Sequence, residues 1–326
     1  MHPIFYTPSI TDNFYSNLYT MATIKKIVIK GFFGKGDFEW NLNPVVNILG
    51  GKNGSGKSTI FKSCYAMLND KNMFAAMEKN LEKVFQEIII TFSNNWTLFW
   101  PYASGTLVLD SNNPYMDSIG VKDENGQIRN IEDLRVQTQL YLINSFEQHL
   151  NQAIQYWQRP KSIPLNNPTM LDLMIMDQIN LRNRDFGEIM ENFIDSSSES
   201  DEERQYKNIY KMVYSELNHF LSGYDQKISN SFDFTKDGAK IGYEQLSMGE
   251  KQLLLLLLMV GNTKQAPCIF FMDEPDLSMH IDWKEELVTR LHNMNKNMQI
   301  ILSTHAPSVI TGWMDCVNEV SQLIKN

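Results

Sequence analysis

"ILGGKNGSGKSTIFKS", Ile48 to Ser63, decides how the rest of the chain is read. Gly51, four residues, then Gly56-Lys57-Ser58 fit the pattern G-x-x-x-x-G-K-[ST]. Successive backbone N–H groups can curl around an anion only where no Cβ blocks the curl. Gly51, Gly54 and Gly56 remove that obstacle. Lys57 can then reach terminal phosphates as a point charge. The Ser58 hydroxyl suits Mg²⁺, which prefers hard oxygen ligands. A helix opening at Lys57 and running to about Met67 would aim its positive end at the phosphate.

The flanks agree with a phosphate cradle. "PVVNIL" (Pro44–Leu49) is a short apolar run, as a buried strand should be. "STIFKSCYAML" after the glycines has apolar residues at helical spacing. A glycine-rich turn that binds nothing would share the glycines, but not the coincidence of strand, lysine, serine and helix.

Upstream, "IKKIVIKGF" (Ile24–Phe32) and "FEWNL" (Phe38–Leu42) read as strands. Downstream, "EIIITF" (Glu87–Phe92), "WTLFWPY" (Trp96–Tyr102) and "TLVLD" (Thr106–Asp110) are separated by short turns and suggest an antiparallel meander. "QLYLINSF" (Gln139–Phe146) is a further strand. From about Gln148 the texture turns helical, as in Met170, Leu173, Met174, Met176 and Ile179. "DSSSESDEER" (Asp195–Arg204) reads as a solvated loop or helix start inside that region. "FDFTKDGAKIGY" (Phe232–Tyr243) returns to strands, with Asp237-Gly238 as a hairpin turn. The rest reads helix, strand, helix, strand, helix.

Three later stretches carry chemistry. In "QLSMGEKQLLLLLLMV", Ser247 and Glu250 form a capping box ahead of an apolar run. The box does not explain Gly249, which costs about 1 kcal/mol relative to alanine in a first turn. A helix N-terminus with a serine and a glycine is also a phosphate grip. "CIFFMDEPD" (Cys268–Asp276) is a buried strand ending in Asp273 and Glu274, at the sheet edge where α/β ligands bind. One carboxylate can hold Mg²⁺ and the next can polarise a water for attack on phosphorus. "MQIILSTHAPSVI" (Met298–Ile310) is another buried strand, followed by His305. A lone histidine there is usually structural. After the preceding motifs it reads as a sensor of the γ-phosphate.

Composition sets bounds. Net charge is −9, which argues against a strongly basic nucleic-acid surface without excluding a local groove. The three cysteines lie far apart, with neither a disulfide framework nor a zinc pattern, so a reducing cytoplasm is the expected compartment. The apolar run Leu253–Val260 is far short of the ~20 residues of a membrane span. Residues 1–20 lack an apolar core of the signal-peptide kind and read as an N-terminal extension ahead of Met21.

Together these motifs resemble the ABC-type ATPase family. "GKNGSGKS" is similar to its Walker A, "LSMGEKQ" to its signature, "CIFFMDEP" to Walker B, "DLSMH" to the D-loop, and His305 to the switch histidine. The resemblance runs from Ile24 to about Trp313. Within the family, "EPDLSMH", "STHAPSVI" and the long stretch between Walker A and the signature look like the RecF, SMC and overcoming-lysogenization-defect group. The closest likeness is to AAA-type ATPase subunits of bacterial defence systems. The implied fold is an α/β P-loop NTPase of ABC-ATPase type, with a mixed core sheet, an antiparallel β subdomain and a helical insertion. The implied domains are 21–147 and 229–326 as two halves of one ATPase, with 148–228 inserted.

The resemblance implies the cofactors ATP and Mg²⁺. Nucleotide contacts fall to Gly51, Lys52, Asn53, Gly54, Ser55, Gly56, Lys57, Ser58 and Thr59, and in trans to Ser247, Gly249 and Glu250. Metal ligation falls to Ser58, Asp273 and the Q-loop glutamine, Gln148 with Gln139 as rival. Catalysis falls to Glu274, His305 and Lys57. Phe32, Phe33 and Trp40 are all open as the adenine stack. Two chains would sandwich ATP as a homodimer. Overcoming-lysogenization-defect nucleases carry a further nuclease domain after the ATPase. The sequence ends soon after His305, so a separate soluble effector protein is expected to supply that chemistry. The alternatives are a DNA-maintenance ATPase and a transporter's nucleotide-binding subunit, against which the long insertion and "DLSMH" argue.

Overall fold

The computed structural model describes residues 22–101, 119–143, 169–193, 201–222, 226–228 and 234–325. The N-terminal extension, the strand at Thr106–Asp110, Gln148 and the start of "DSSSESDEER" lie outside the described residues.

Two sheets organise the chain. The first has seven strands: β1 (Ile24–Lys30), β2 (Asp37–Asn41), β4 (Glu87–Phe92), β5 (Thr97–Trp100), β6 (Gly120–Lys122), β7 (Ile128–Arg129) and β15 (Ile324–Lys325), in the order β15-β2-β1-β4-β5-β6-β7. Every described pairing in it is antiparallel. β4 alternates buried and half-buried residues, the signature of a strand covered on one face.

The second sheet is parallel. It holds β3 (Val46–Gly50), β8 (Leu140–Ile143), β12 (Cys268–Asp273), β13 (Met298–Ser303) and β14 (Val317–Glu319), ordered β14-β3-β13-β12-β8. β12 and β13 are buried at every residue, as central parallel strands with both faces covered must be.

Side-chain alternation sorts this sheet into two cores. Val46, Ile48, Phe270, Met272, Ile300 and Leu302 point to one face. Leu49, Ile269, Phe271 and Ile301 point to the other, against α1 (Lys57–Asn69) and the antiparallel sheet. The first face carries α4 (Met170–Phe193), α5 (Asp201–Leu221), α6 (Met248–Asn262) and α7 (Ile281–Met294). Short helices α2 (Lys71–Leu81) and α3 (Ile131–Val136) flank the α1 side. A small third sheet joins β9 (Gln226–Ile228), β10 (Phe234–Lys236) and β11 (Ala239–Ile241), the last two turning at Asp237-Gly238.

The helical region lies along the core. Lys251 of α6 pairs with Asp172 of α4 at 2.7 Å. At the other end, Lys264 pairs with Asp185 at 2.9 Å, and the Asn262 amide donates to the Gln178 side chain at 2.8 Å. α5 reaches α7 through Arg290 and Glu216 at 2.8 Å.

The C-terminus differs from the expected helix. After β13 the chain makes turns with i→i+3 bonds, such as Val309 N–H to the Ala306 carbonyl. Gly312 then turns left-handed (φ 81°), and β14 joins the parallel sheet beside β3. A four-residue helix, α8 (Val320–Leu323), leads to β15 at the edge of the other sheet. The segment has turn residues and no sustained helical period, so strand pairing decides its shape.

Candidate functional site

β3, β12 and β13 run parallel and end at one edge, and the quoted motifs meet there. The loop from Gly51 leads directly into α1. Gly54 (φ 74°) and Gly56 (φ 99°) hold left-handed conformations that a side chain would strain. A Cβ on Gly56 would also lie 2.7 Å from the Phe33 ring. The loop therefore needs glycine, as a phosphate cradle does. Lys52 and Asn53 line an open cleft of about 640 Å³ in front of it. Ser58 and Thr59 are half-buried in the first turn of α1, and the Ser55 hydroxyl is buried without a hydrogen-bond partner among the described residues.

Lys57 is 5% exposed. Its amine donates to the Gly51 carbonyl at 2.8 Å and lies 2.9 Å from His305 Nε2. Burial pushes its pKa below the usual lysine value, while the carboxylates of Glu274, Asp273 and Glu319 pull it back. A bound phosphate would add to that pull.

Asp273 ends β12 almost wholly buried. Its Oδ1 accepts the Ser303 hydroxyl at 2.7 Å, and its Oδ2 is buried without a hydrogen-bond partner among the described residues. A buried carboxylate oxygen left open fits a hard cation or that cation's water. Among the described residues no group of three or more His, Cys, Asp or Glu could hold a metal. The Ser58 hydroxyl and Asp273 Oδ2 are oxygens whose chemistry suits a divalent ion.

Glu274 has φ 51°, a left-handed conformation for a residue with a Cβ, held by its N–H to the Ser303 carbonyl at 3.0 Å. Such strain costs about 1–2 kcal/mol and clusters at functional positions. Its Oε1 lies 3.2 Å from His305 Nε2, and both side chains reach the cleft. Lys57, Asp273, Glu274 and His305 are therefore brought together.

Ser247, Gly249 and Glu250 are not. They open α6, on the other face of the parallel sheet from α1, and none lines the cleft. The capping box forms: Ser247 N–H donates to Glu250 Oε2 at 2.7 Å, and Glu250 N–H to Ser247 Oγ at 3.4 Å. Gly249 has an internal reason to be glycine. A Cβ there would meet the Ser278 carbonyl oxygen at 2.3 Å.

The structure narrows two open choices. Gln139 precedes β8 and its carbonyl takes the Ile269 N–H, at the edge of the sheet opposite the cleft. Phe32 and Trp40 are core residues, 1% and 0% exposed, whereas Phe33 is half-buried beside Gly56.

Sequence reading missed Thr304 and Lys284. Both meet Asp276, a buried carboxylate just past Glu274, and Lys284 lines the cleft. No local signal marks Lys284, which sits on an exposed-looking helix eight residues beyond Asp276.

The chain is similar to known proteins in family, in sequence and in fold. The family described as "AAA domain, putative AbiEii toxin, Type IV TA system" matches residues 117–311, more than half of the chain. "Retron Vc95 probable ATPase" of Vibrio cholerae serotype O1 biovar El Tor is 36% identical over 117 residues, 31% of this chain and 23% of that protein. "Retron Ec83 probable ATPase" of Escherichia coli is 32% identical over 85 residues, 23% of this chain and 16% of that protein. The chain thus matches less than a quarter of either relative's length. Among solved structures, an SmcHead bound to the C-winged helix domain of ScpA superposes with TM-score 0.58 at 14% identity, covering 91% of this chain and 94% of that one. That likeness shows the fold, an α/β P-loop architecture.

Proposed function

This chain belongs to the AAA-domain family matched above, and on that premise we propose that it is a Mg²⁺-dependent ATPase that closes as a homodimer around ATP and drives a separate effector. The observation that carries the reading is the meeting of Lys57, His305 and Glu274 within 2.9 and 3.2 Å at the carboxyl edge of a parallel sheet.

The roles follow from the chemistry. Gly51 to Thr59 wrap the phosphates, and Lys57 leaves the Gly51 carbonyl to pair with the terminal ones. Ser58 and Asp273 would hold Mg²⁺, with Gln148 as the proposed third ligand, and the bound ion would supply positive charge beside the phosphates. Glu274 takes a proton from the attacking water. A new P–O bond forms to that water as the bond to the ADP oxygen breaks. His305 donates to the departing γ-phosphoryl oxygens. Of the three open aromatics, half-buried Phe33 beside Gly56 is the proposed adenine stack.

Ser247, Gly249 and Glu250 are proposed to act on the nucleotide of a second copy. Their place on the opposite face of the sheet supports action in trans. Exposed apolar side chains also flank this region: Met248 is 51% exposed, Leu277 56% and Ile281 60%. Leu277 lines the cleft itself. A second copy would cover such side chains.

Defence against phage, with a nuclease-like effector and a cytoplasmic location, is the proposed setting. Its support is the retron naming of the relatives and the toxin wording of the family. Among the described residues no helix is long and apolar enough to cross a membrane. The region 148–228, placed between the ATPase halves 21–147 and 229–326, is the proposed docking surface.

The test is a tagged Glu274→Gln chain recovered from its native host with ATP, together with its mass in solution. An ATP-dependent dimer with a soluble effector supports the reading. A membrane permease in its place, or a monomer with and without ATP, overturns it.

A further inference from the structure

His305 has a side chain 38% exposed, so besides its Lys57 and Glu274 contacts its aim depends on the backbone that carries it. That backbone is gripped by the residue before it. Thr304 is 5% exposed, and its hydroxyl makes two bonds. It accepts the Ala306 N–H at 3.0 Å, which closes a turn around His305. It donates to Asp276 Oδ1 at 2.9 Å. The other Asp276 oxygen lies 3.2 Å from Lys284 Nζ. Asp276 is 4% exposed and Lys284 stands on the first turns of α7, lining the same cleft.

We propose that Lys284, Asp276 and Thr304 are positioning residues for His305, a brace with a buried middle that fixes the switch histidine against the cleft. The proposal rests on the ATPase reading above. The chain of contacts runs from α7 to both sides of His305, and no member needs to touch the phosphates. Lys284 has a second consequence. Asp276 would otherwise be a further buried carboxylate next to Asp273 and Glu274, and like charges there would repel a polyanion. Pairing with Lys284 cancels that charge, so Asp276 can hold Thr304 without opposing ATP. Misplacement of a reacting group by a fraction of an ångström is enough to slow a chemical step.

Thr304→Val is nearly isosteric and removes both bonds. The expected result is a kcat lower by about three- to tenfold, the range one hydrogen bond supplies. ATP affinity, read with a fluorescent nucleotide, stays within about twofold because Thr304 touches no phosphate. Thr304→Ser restores turnover. In a His305→Ala background, Thr304→Val costs nothing further, since the residue it positions is gone. Equal losses in both backgrounds, or affinity and kcat falling together, overturn the brace. If Thr304→Val lowers the melting temperature sharply, Lys284→Gln against Lys284→Arg carries the same cycle, with arginine expected to retain turnover. A readout without turnover separates this proposal from the ATPase reading. The His305 ring resonances should shift in Thr304→Val and not in Thr304→Ser, with no nucleotide present. Unshifted rings would sink the brace even in an active ATPase. A wild-type chain that does not hydrolyse ATP would sink the ATPase reading while the ring shifts still judge the brace.

Discussion

Gly249→Ala should destabilise the protein although it replaces glycine by alanine inside a helix. On propensity alone the change favours α6 by about 1 kcal/mol. The added Cβ, however, would sit 2.3 Å from the Ser278 carbonyl oxygen, roughly 1 Å inside normal contact. The obstacle is backbone and cannot rotate away. Such overpacking costs about 1–3 kcal/mol. The net effect is a loss of up to about 2 kcal/mol, and a displaced Ser278 segment that should also slow turnover. Gly187 in α4 is the internal control, because a Cβ there meets nothing within 4 Å. Gly187→Ala should therefore stabilise by about 0.5–1 kcal/mol. Urea unfolding of both variants beside wild type measures the contrast. Equal stabilisation by the two alanines would refute the argument that Ser278 dictates glycine at 249.

Three further outcomes are expected. Lys57→Met should weaken ATP binding by about tenfold or more, the value of a hydrogen bond to a charged group. Its thermal stability should hold or rise, because a buried charge is gone; wild-type affinity in a nucleotide titration would contradict the cradle. Lys251→Met should cost about 3–5 kcal/mol in denaturant unfolding, since it strands the buried Asp172 carboxylate, and a loss under 1 kcal/mol would show that α4 is not held there. Hydrogen bonds from Lys26 and then Lys325 hold Glu39 at a pKa of about 2, against an ordinary 4.5. A folded-state pKa depressed in this way contributes stability above pH 4.5 that is lost as pH falls through about 2. Glu39→Gln should flatten the melting-temperature profile between those values, and an unchanged slope would remove the two lysines as its cause.

Most of the elements around the cleft were legible because they announce themselves locally. The strand at Glu87–Phe92 alternates, and the observed β4 covers the same residues. β12 and β13 are apolar runs that stop at Asp273 and Ser303, and parallel pairing brings those ends together. The glycine loop needed only its spacing. What failed to show depends on distant partners. α6 is apolar on all sides, so its period could not reveal which face of the sheet it covers. The packing reason for glycine at 249 was hidden because the Ser278 carbonyl that excludes a side chain lies on another loop. β14 is three residues long and exists through β3, not through its own pattern. Lys284 is one of several charges on α7, and only its distance to Asp276 sets it apart.

Lys57, Asp273, Glu274 and His305 are proposed to form a working ATP-hydrolysing centre. The most direct measurement sets purified wild type beside Glu274→Gln and follows ATP binding and phosphate release on the same samples with Mg²⁺. Equal ATP affinity is expected, with phosphate released by the wild type and almost none by the variant. Phosphate release at the wild-type rate from Glu274→Gln, or no ATP bound by either chain, would contradict it.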